Sequence, residues 1–268
     1  MNGRDVSSRL APAARDVGDA LRFFTRLPIA SSAEDAGLDF DRFAWAAPVA
    51  GAIVGLIGSG VLALTGLLGF PPLIRAGLAT ASIVAATGAL HEDGLEDTAD
   101  GFGGGASAAR KLEIMRDSRI GASGAVAVTL ALILRVGALA AALSSGVWVA
   151  AGAVIVASAI SRAGALAPLA FLDSARPDGL GAAAGRLNPQ AFAGAWGAAL
   201  IIALALGAIT VGAGRGVLAV MAGGIGAAAM TALAQRQIGG QTGNVAGAAQ
   251  QWSEIGAWCG LLMGHATA

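Results

Sequence analysis

The chain has 268 residues, of which 56% are hydrophobic and only 13% are charged, and its mean hydropathy is +0.70. Soluble domains carry about 25% charged residues, so this composition excludes an ordinary soluble protein and favours a polytopic membrane protein. Basic and acidic residues number 17 each, so bulk charge indicates no nucleic-acid partner. The single cysteine, Cys259, excludes a disulfide within the chain.

The N-terminal segment mixes basic and apolar residues. Five arginines interrupt the first 30 residues, so this stretch lacks the apolar core of a cleavable signal peptide. Between residues 17 and 29, Phe23 and Phe24 lie among arginines, which predicts a helix in the membrane interface, with a soluble N-terminal turn as the alternative. We assign residues 1–43 to a cytoplasmic segment and residues 44–268 to an integral membrane domain that carries the candidate catalytic residues.

Apolar runs long enough to cross a bilayer follow, since about 20 such residues span it as a helix. The seven candidate runs are 44–69, 73–90, 121–143, 147–171, 192–213, 216–235 and 246–264. The 41 glycines indicate close helix packing, and Gly51 and Gly55 form one Gly-x-x-x-Gly pair. The predicted fold is all-α, a polytopic membrane helix bundle of about six or seven transmembrane helices with an N-terminal interfacial helix.

The distribution of basic residues predicts the topology. With seven spans and a cytoplasmic N-terminus, the inside segments are 1–43, 91–120, 172–191 and 236–245. They hold 13 of the 17 basic residues, a positive-inside pattern, and every acidic residue except Glu254. The polar clusters therefore face the cytoplasm of a bacterial inner membrane in this prediction, and substrates should arrive from that side.

An acidic cluster follows the second apolar run. Asp93, Asp97 and Asp100 are spaced i, i+4 and i+7, which places three carboxylates on one face of a helix. Like charges in this arrangement repel, and Mg²⁺ neutralises such groups while it binds substrate phosphates. The alternative is a solvated acidic start of a helix.

Arginines recur on the same predicted face. Arg116 and Arg119 are three residues apart and can grip a phosphate together, or they can anchor the next span. Arg162 lies within a span, where a charge is costly, so it is a functional candidate unless its side chain snorkels to the interface. Arg176 and Asp178 follow the fourth run in a turn-forming segment.

A metal-binding acidic cluster and arginines at one membrane face indicate phosphoryl or phosphodiester transfer. No Ser/His/Asp set stands out, and one cysteine excludes a Cys/His metal site. The glycines at 101–105 lack the Gly-Lys-Ser/Thr ending of a P-loop.

Five motifs in order carry a resemblance to a known family. They are Phe-Phe-Thr-Arg-Leu-Pro (23–28), His-Glu-Asp-Gly-Leu-Glu-Asp-Thr-Ala-Asp-Gly (91–101), Glu-Ile-Met-Arg-Asp-Ser-Arg-Ile-Gly (113–121), Ala-Arg-Pro-Asp-Gly-Leu-Gly (175–181) and Gly-Gly-Gln-Thr-Gly-Asn (239–244). From about residue 20 to 255 the chain resembles the cobalamin synthases, or adenosylcobinamide-GDP ribazoletransferases. The resemblance implies a multi-pass inner-membrane enzyme that uses Mg²⁺ to join adenosylcobinamide-GDP to α-ribazole or its 5′-phosphate, releasing GMP. The resemblance is also compatible with a homo-oligomer.

The resemblance also implies roles for individual residues. The expected metal ligands are Asp93, Asp97, Asp100 and Asn244. The expected binding residues are Arg116, Arg119, Arg162, Arg176 and Asp178, of which Arg116, Arg119 and Arg176 are expected to hold phosphate oxygens. The expected catalytic residues are His91, Glu92, Asp93, Asp97 and Arg119, with the general base open between His91, Glu92 and an aspartate. One position departs from the family, whose last motif usually ends Thr-Gly-Asp where this chain has Asn244.

Two rival functions differ from this one in sequence signature. A CDP-alcohol phosphatidyltransferase uses similar chemistry, but its Asp-Gly-x-x-Ala-Arg signature is missing. A membrane transporter would show paired halves and sites near the midplane, whereas these motifs cluster at one face.

Overall fold

The computed structural model describes residues 3–29 and 39–264, so part of the predicted 1–43 segment lies outside the described residues. Within those ranges the chain forms α-helices and no β-strand. The helices are α1 (Gly3–Phe24), α2 (Phe40–Phe43), α3 (Ala47–Leu67), α4 (Pro72–Thr87), α5 (Leu90–Gly104), α6 (Ala108–Ile114), α7 (Ala122–Ala142), α8 (Val147–Ala165), α9 (Ala167–Phe171), α10 (Leu180–Ala184), α11 (Pro189–Ile209), α12 (Ala213–Ile238) and α13 (Gly243–Leu262). The all-α prediction is confirmed.

Five helical stretches of the described chain are long and apolar enough to cross a membrane. They are Phe40–Leu67, Ala122–Ser145, Val147–Phe171, Pro189–Ile209 and Ala213–Ile238, and α4 with α5 would make a sixth. The protein is therefore a multi-pass membrane protein. The predicted run 246–264 does form a helix, α13, but it is not among these candidates because polar residues interrupt its apolar sequence.

The predicted run 73–90 does not continue straight into the acidic motif. Gly88 and Ala89 adopt left-handed backbone conformations, with φ of 62° and 56°, and they end α4 at Thr87. The chain then bends by 87° into α5. Because 16 residues of helix rise only about 24 Å, α4 alone is shorter than the bilayer core. The acidic motif thus lies on a separate helix.

Helix α8 lies at the centre of the bundle and is buried on nearly all sides. The predicted Gly-x-x-x-Gly pair packs directly against it. A Cβ on Gly51 would lie 2.2 Å from the carbonyl oxygen of Ser158, and one on Gly55 would lie 2.6 Å from the Cα of Ile155. The absence of side chains at these two positions of α3 allows the two backbones to touch.

The N-terminal helix is fastened to the bundle. Its apolar face, including Leu21 and Phe24, packs into the main core, and Arg42 forms ion pairs with both Asp16 and Asp19. The helix ends at Phe24, five residues before the predicted limit at residue 29. It therefore contributes side chains to the interior.

The α3–α8 contact predicts different effects for two glycines of the same helix. Gly51→Ala should lower the free energy of unfolding by about 1–3 kcal/mol, because the added methyl group overpacks the crossing. The matched control is Gly60→Ala, since no atom lies within 4 Å of a Cβ at Gly60. It should be neutral or slightly stabilising. Thermal unfolding of both variants in detergent measures the difference, and equal midpoints would contradict it.

Candidate active site

The polar segments predicted to share one membrane face meet at one end of the bundle. The loop after α9 pairs with the loop after α12, since the backbone amide of Gln241 donates to Asp173 O and that of Ala175 donates to Gln241 O, both at 2.9 Å. The start of α13 also contacts α5 through Asn244 and Asp97. Segments far apart in sequence therefore build one site.

A cavity of about 120 Å³ lies among these segments. Four predicted site residues line it, namely His91, Asp93, Arg176 and Asn244. The remaining lining residues are Phe23, Phe24, Leu90, Gly94, Ala165, Leu166, Leu169, Gly243, Ala246 and Gly247. The cavity thus combines an apolar wall with a few polar groups, as small-molecule sites commonly do.

The close crossing of α5 and α13 brings the polar groups together. A Cβ on Gly94 would lie 2.8 Å from the backbone oxygen of Asn244 and 3.0 Å from the Cα of Gly247. Side chains at these glycines would push the helices apart. The contact therefore sets how near Asn244 lies to the aspartates of α5.

Asn244 has a defined orientation. Its Nδ2 donates to Asp97 Oδ2 at 2.7 Å and to the carbonyl oxygen of Met115 at 2.9 Å. Since a carbonyl oxygen only accepts hydrogen bonds, the amide nitrogen must face these two partners. The side chain joins α13 to α5 and to the end of α6.

Asp100 has partners that the sequence did not indicate. Its carboxylate oxygens accept hydrogen bonds from the backbone amides of Gly121 at 2.6 Å and Gly124 at 2.8 Å. These amides lie at the start of α7 and have no hydrogen-bond partner within that helix, and negative charge is favourable at a helix start. Among the described residues, no group of three or more acidic, histidine or cysteine side chains is arranged to hold a metal ion.

The arginines predicted to bind phosphate lie in different parts of the structure. Arg176 is mostly buried and lines the cavity, while Arg116 forms an ion pair with Asp178 at the surface. Arg119 is exposed and pairs with Asp117. Hydrogen bonds from the Arg119 side chain and backbone lower the pKa of Asp117 from 3.8 to about 2. Of this set, only Arg176 lines the cavity.

The two candidate bases that begin α5 face different surroundings. His91 is buried, lines the cavity and stacks on Phe24, with ring centroids 5.9 Å apart and planes 10° apart. Its Nε2 has no hydrogen-bond partner among the described residues. Glu92 does not line the cavity, and its Oε1 accepts hydrogen bonds from Arg135 and Gln251. His91 is therefore at the cavity and Glu92 is not.

A buried charge network occupies the interior beyond Glu92. Arg135 Nε lies 3.0 Å from Glu254 Oε1, and Arg162 Nη1 lies 3.8 Å from Glu254 Oε2. Gln250 donates to Glu254 at 2.7 Å. Arg162, predicted as a binding residue, is 1% exposed and does not line the cavity. No partner for Arg135 was predicted from the sequence. Its position within an apolar run was the available signal, because a charge there is costly without a partner.

Comparison with known proteins places the chain in a family. The family described as cobalamin-5-phosphate synthase matches residues 16–262. The chain belongs to this family. A protein of Azorhizobium caulinodans named adenosylcobinamide-GDP ribazoletransferase is 48% identical over 251 residues, covering 92% of this chain and 95% of that protein. Proteins of the same name from Bradyrhizobium diazoefficiens and Mesorhizobium japonicum are 44% and 46% identical, each over 90% of both chains. No solved structure matches the chain.

Family membership makes the chain a membrane-embedded transferase of cobalamin biosynthesis. The resemblance seen in its motifs is confirmed.

The geometry at Asn244 predicts the effect of placing an aspartate at this position. Asn244→Asp would place a carboxylate against Asp97 and the Met115 carbonyl, where no donor remains. The free energy of unfolding should fall by about 1–3 kcal/mol without divalent cations. Added Mg²⁺ should restore it, because a cation can bridge the two carboxylates. Thermal unfolding with EDTA and with Mg²⁺ tests this, and equal midpoints for variant and wild type in EDTA would contradict it.

Proposed function

We propose that this chain is an adenosylcobinamide-GDP ribazoletransferase that joins adenosylcobinamide-GDP to α-ribazole or its 5′-phosphate and releases GMP. The observation that carries this proposal is the cavity at which His91, Asp93, Arg176 and Asn244 meet, in a chain of this family. A ribazole hydroxyl oxygen bonds to the cobinamide-linked phosphorus. The bond from that phosphorus to the bridging oxygen breaks, and GMP leaves.

The residues present fit Mg²⁺ in a smaller set than the sequence predicted. Mg²⁺ takes one or two protein carboxylates and completes its shell with waters and substrate phosphates. Asp93 is exposed at the cavity and Asp97 adjoins it, so these two would hold the ion. Asp100 is committed to backbone amides and would act by positioning α7. When bound, Mg²⁺ would neutralise charge on the diphosphate.

The remaining side chains would either bind the substrate phosphates or accept the hydroxyl proton. Arg176 holds phosphate oxygens at the cavity, and Arg116 with Asp178 extends the binding surface outside it. An oxygen of Asp93 that the ion leaves free is the best placed group to accept the hydroxyl proton, because Asp93 is exposed at the cavity, whereas the Nε2 of His91 is buried. Glu92 is already neutralised by Arg135.

The two rival functions have less support. A CDP-alcohol phosphatidyltransferase would need the signature that this sequence lacks, and the curated relatives carry a different name. A transporter would place its ionisable residues along a pathway through the membrane. Here the buried charges balance and pair with one another, whereas the cavity lies at one end.

We also propose that the cavity faces the cytoplasm across a bacterial inner membrane, because the positive-inside pattern puts its segments there. Topology reporters fused after Gly105, on the cavity side, and after Ser145, at the far end of α7, should report opposite sides. A periplasmic signal from the fusion after Gly105 would contradict the cytoplasmic assignment.

Release of GMP by the purified protein from adenosylcobinamide-GDP and α-ribazole tests the reaction, and wild-type protein without such release would contradict it. Asp93→Asn and Asp97→Asn should each lower turnover by about 100-fold or more, since losing a metal ligand costs several kcal/mol of transition-state stabilisation. The matched control is Asp173→Asn, which changes an exposed aspartate at the same end of the bundle. It should keep near-normal turnover.

Asp100→Asn separates the metal-binding and positioning roles. It replaces one acceptor oxygen by a donor that faces a backbone amide, so the midpoint of thermal unfolding should fall. The Mg²⁺ concentration for half-maximal activity should stay unchanged in Asp100→Asn and rise in Asp93→Asn. The same rise in both variants would make Asp100 a metal ligand.

A further inference from the structure

An open groove lies beside the small cavity at the same end of the bundle. Its volume is about 340 Å³, and its lining includes Leu112, Glu113 and Arg116 on one side and Arg176 and Pro177 on the other. Small-molecule sites usually measure about 300–1,000 Å³. The groove falls within that range, whereas the cavity of about 120 Å³ is below it.

The surface of the groove is free to contact a ligand. Glu113, Arg116 and Pro177 are exposed, and Leu112 is half-buried. Leu112 and Pro177 therefore offer apolar surface to a flat ring, while the charged side chains can bind polar groups at its edge. The open side leaves room for the rest of a larger substrate.

Two arginines of the groove converge on one point. Arg116 and Arg176 both pair with the same oxygen of Asp178, and Arg176 Nε lies 3.9 Å from it. The side chains of Arg116 and Asp178 are 52% and 63% exposed, and exposed ion pairs contribute little. A substrate phosphate can therefore take the place of this carboxylate and contact both guanidinium groups.

Glu113 supplies an acceptor in the same groove. Its Oε2 lies 2.7 Å from Arg110 Nη1, in a pair whose side chains are 58% and 69% exposed. Its Oε1 has no hydrogen-bond partner among the described residues. Since an ionised carboxylate only accepts hydrogen bonds, Glu113 can bind a ligand edge that presents two neighbouring N–H groups.

We propose that this groove binds the GMP part of adenosylcobinamide-GDP, with Glu113 recognising guanine and with Arg116 and Arg176 holding the diphosphate. This assignment rests on the proposed function. Guanine presents N1–H and its 2-amino group side by side, so both can donate to one carboxylate. Adenine presents the acceptor N1 at that edge, which a carboxylate repels. Glu113 therefore determines the specificity for the base.

This placement also positions the reacting phosphorus. Arg176 is the one described residue that lines both the groove and the cavity, and Asp93 lines the cavity beside it. With the guanine at Glu113, the diphosphate reaches Arg176, and the cobinamide-linked phosphorus lies where groove and cavity join. Contacts to the distant base thus help to orient the reacting group, and GMP leaves through the open side.

Equilibrium binding of free nucleotides to the purified wild-type protein tests the contact without a variant. In calorimetric titrations with Mg²⁺ present, GMP should bind most tightly. IMP keeps N1–H but lacks the 2-amino group, so it should bind about 10-fold more weakly. AMP lacks both donors and should bind more weakly than IMP. Equal affinities for GMP and AMP would overturn the assignment.

Glu113→Gln tests the residue itself. It replaces one acceptor oxygen by a donor, so the affinity for GMP and the KM for adenosylcobinamide-GDP should each worsen about 10-fold. The difference between GMP and IMP should shrink to within about threefold, and the KM for α-ribazole should stay within about twofold. Because Glu113 is exposed, the substitution should not impair folding.

Arg110→Gln is the matched control. It removes the same ion pair from its other end, and Arg110 does not line the groove. It should keep the preference for GMP over IMP and leave the KM for adenosylcobinamide-GDP within about threefold, since an exposed pair contributes little. Equal losses in Arg110→Gln and Glu113→Gln would mean that Glu113 acts only through the ion pair, which would overturn the assignment.

The two proposals fail in different ways. Wild-type protein that releases no GMP from adenosylcobinamide-GDP and α-ribazole would overturn the proposed function. Wild-type protein that does release GMP, with an unchanged KM for adenosylcobinamide-GDP in Glu113→Gln, would overturn only the assignment of guanine to Glu113.

Discussion

A charge-balanced network buried at the centre of the bundle is the constraint on which the site depends. Arg135 pairs with Glu92 of α5 and Glu254 of α13, and Arg162 of α8 approaches the same Glu254. A single buried charge costs several kcal/mol, but here two arginines balance two glutamates, and Gln250 donates a hydrogen bond to Glu254. Because α13 is too polar to be stable beside lipid, these pairs keep it inside the bundle, in contact with α5.

The position of α5 follows from that anchorage. Glu92 and Asp93 are adjacent, so their side chains point about 100° apart around the helix. With Glu92 held inward by Arg135 and Gln251, Asp93 turns to the cavity. The glycine contact between Gly94 and Gly247 then fixes the distance between the helices. The chemistry at the membrane face thus rests on polar packing within the bundle.

Most of the fold follows from the sequence because apolar runs of span length have few alternatives to membrane helices. Grouping of the polar loops at one end follows for the same reason. The exact hydrogen-bond partners of the site residues do not follow from the sequence. The i, i+7 spacing placed Asp100 with the other aspartates, but backbone amides of α7 bind it, and backbone amides carry no sequence signal. The end of α4 before the acidic motif depends on left-handed backbone at Gly88 and Ala89, which alanine rarely adopts.

Asn244 shows how an amide can hold the place of the aspartate that the motif resemblance led us to expect. A carboxylate at this position would need a proton or a cation to lie beside Asp97, whereas the amide supplies the hydrogen itself. The same amide reaches the Met115 carbonyl and ties the end of α6 to α13. Asn244 therefore provides, through hydrogen bonds, part of the cohesion that a bridging ion would give. The hydrogen bond also occupies one oxygen of Asp97, which leaves this carboxylate less able to bind a cation than an unpaired one. In the proposed site, ion binding would then depend most on Asp93, the carboxylate that is exposed and lines the cavity.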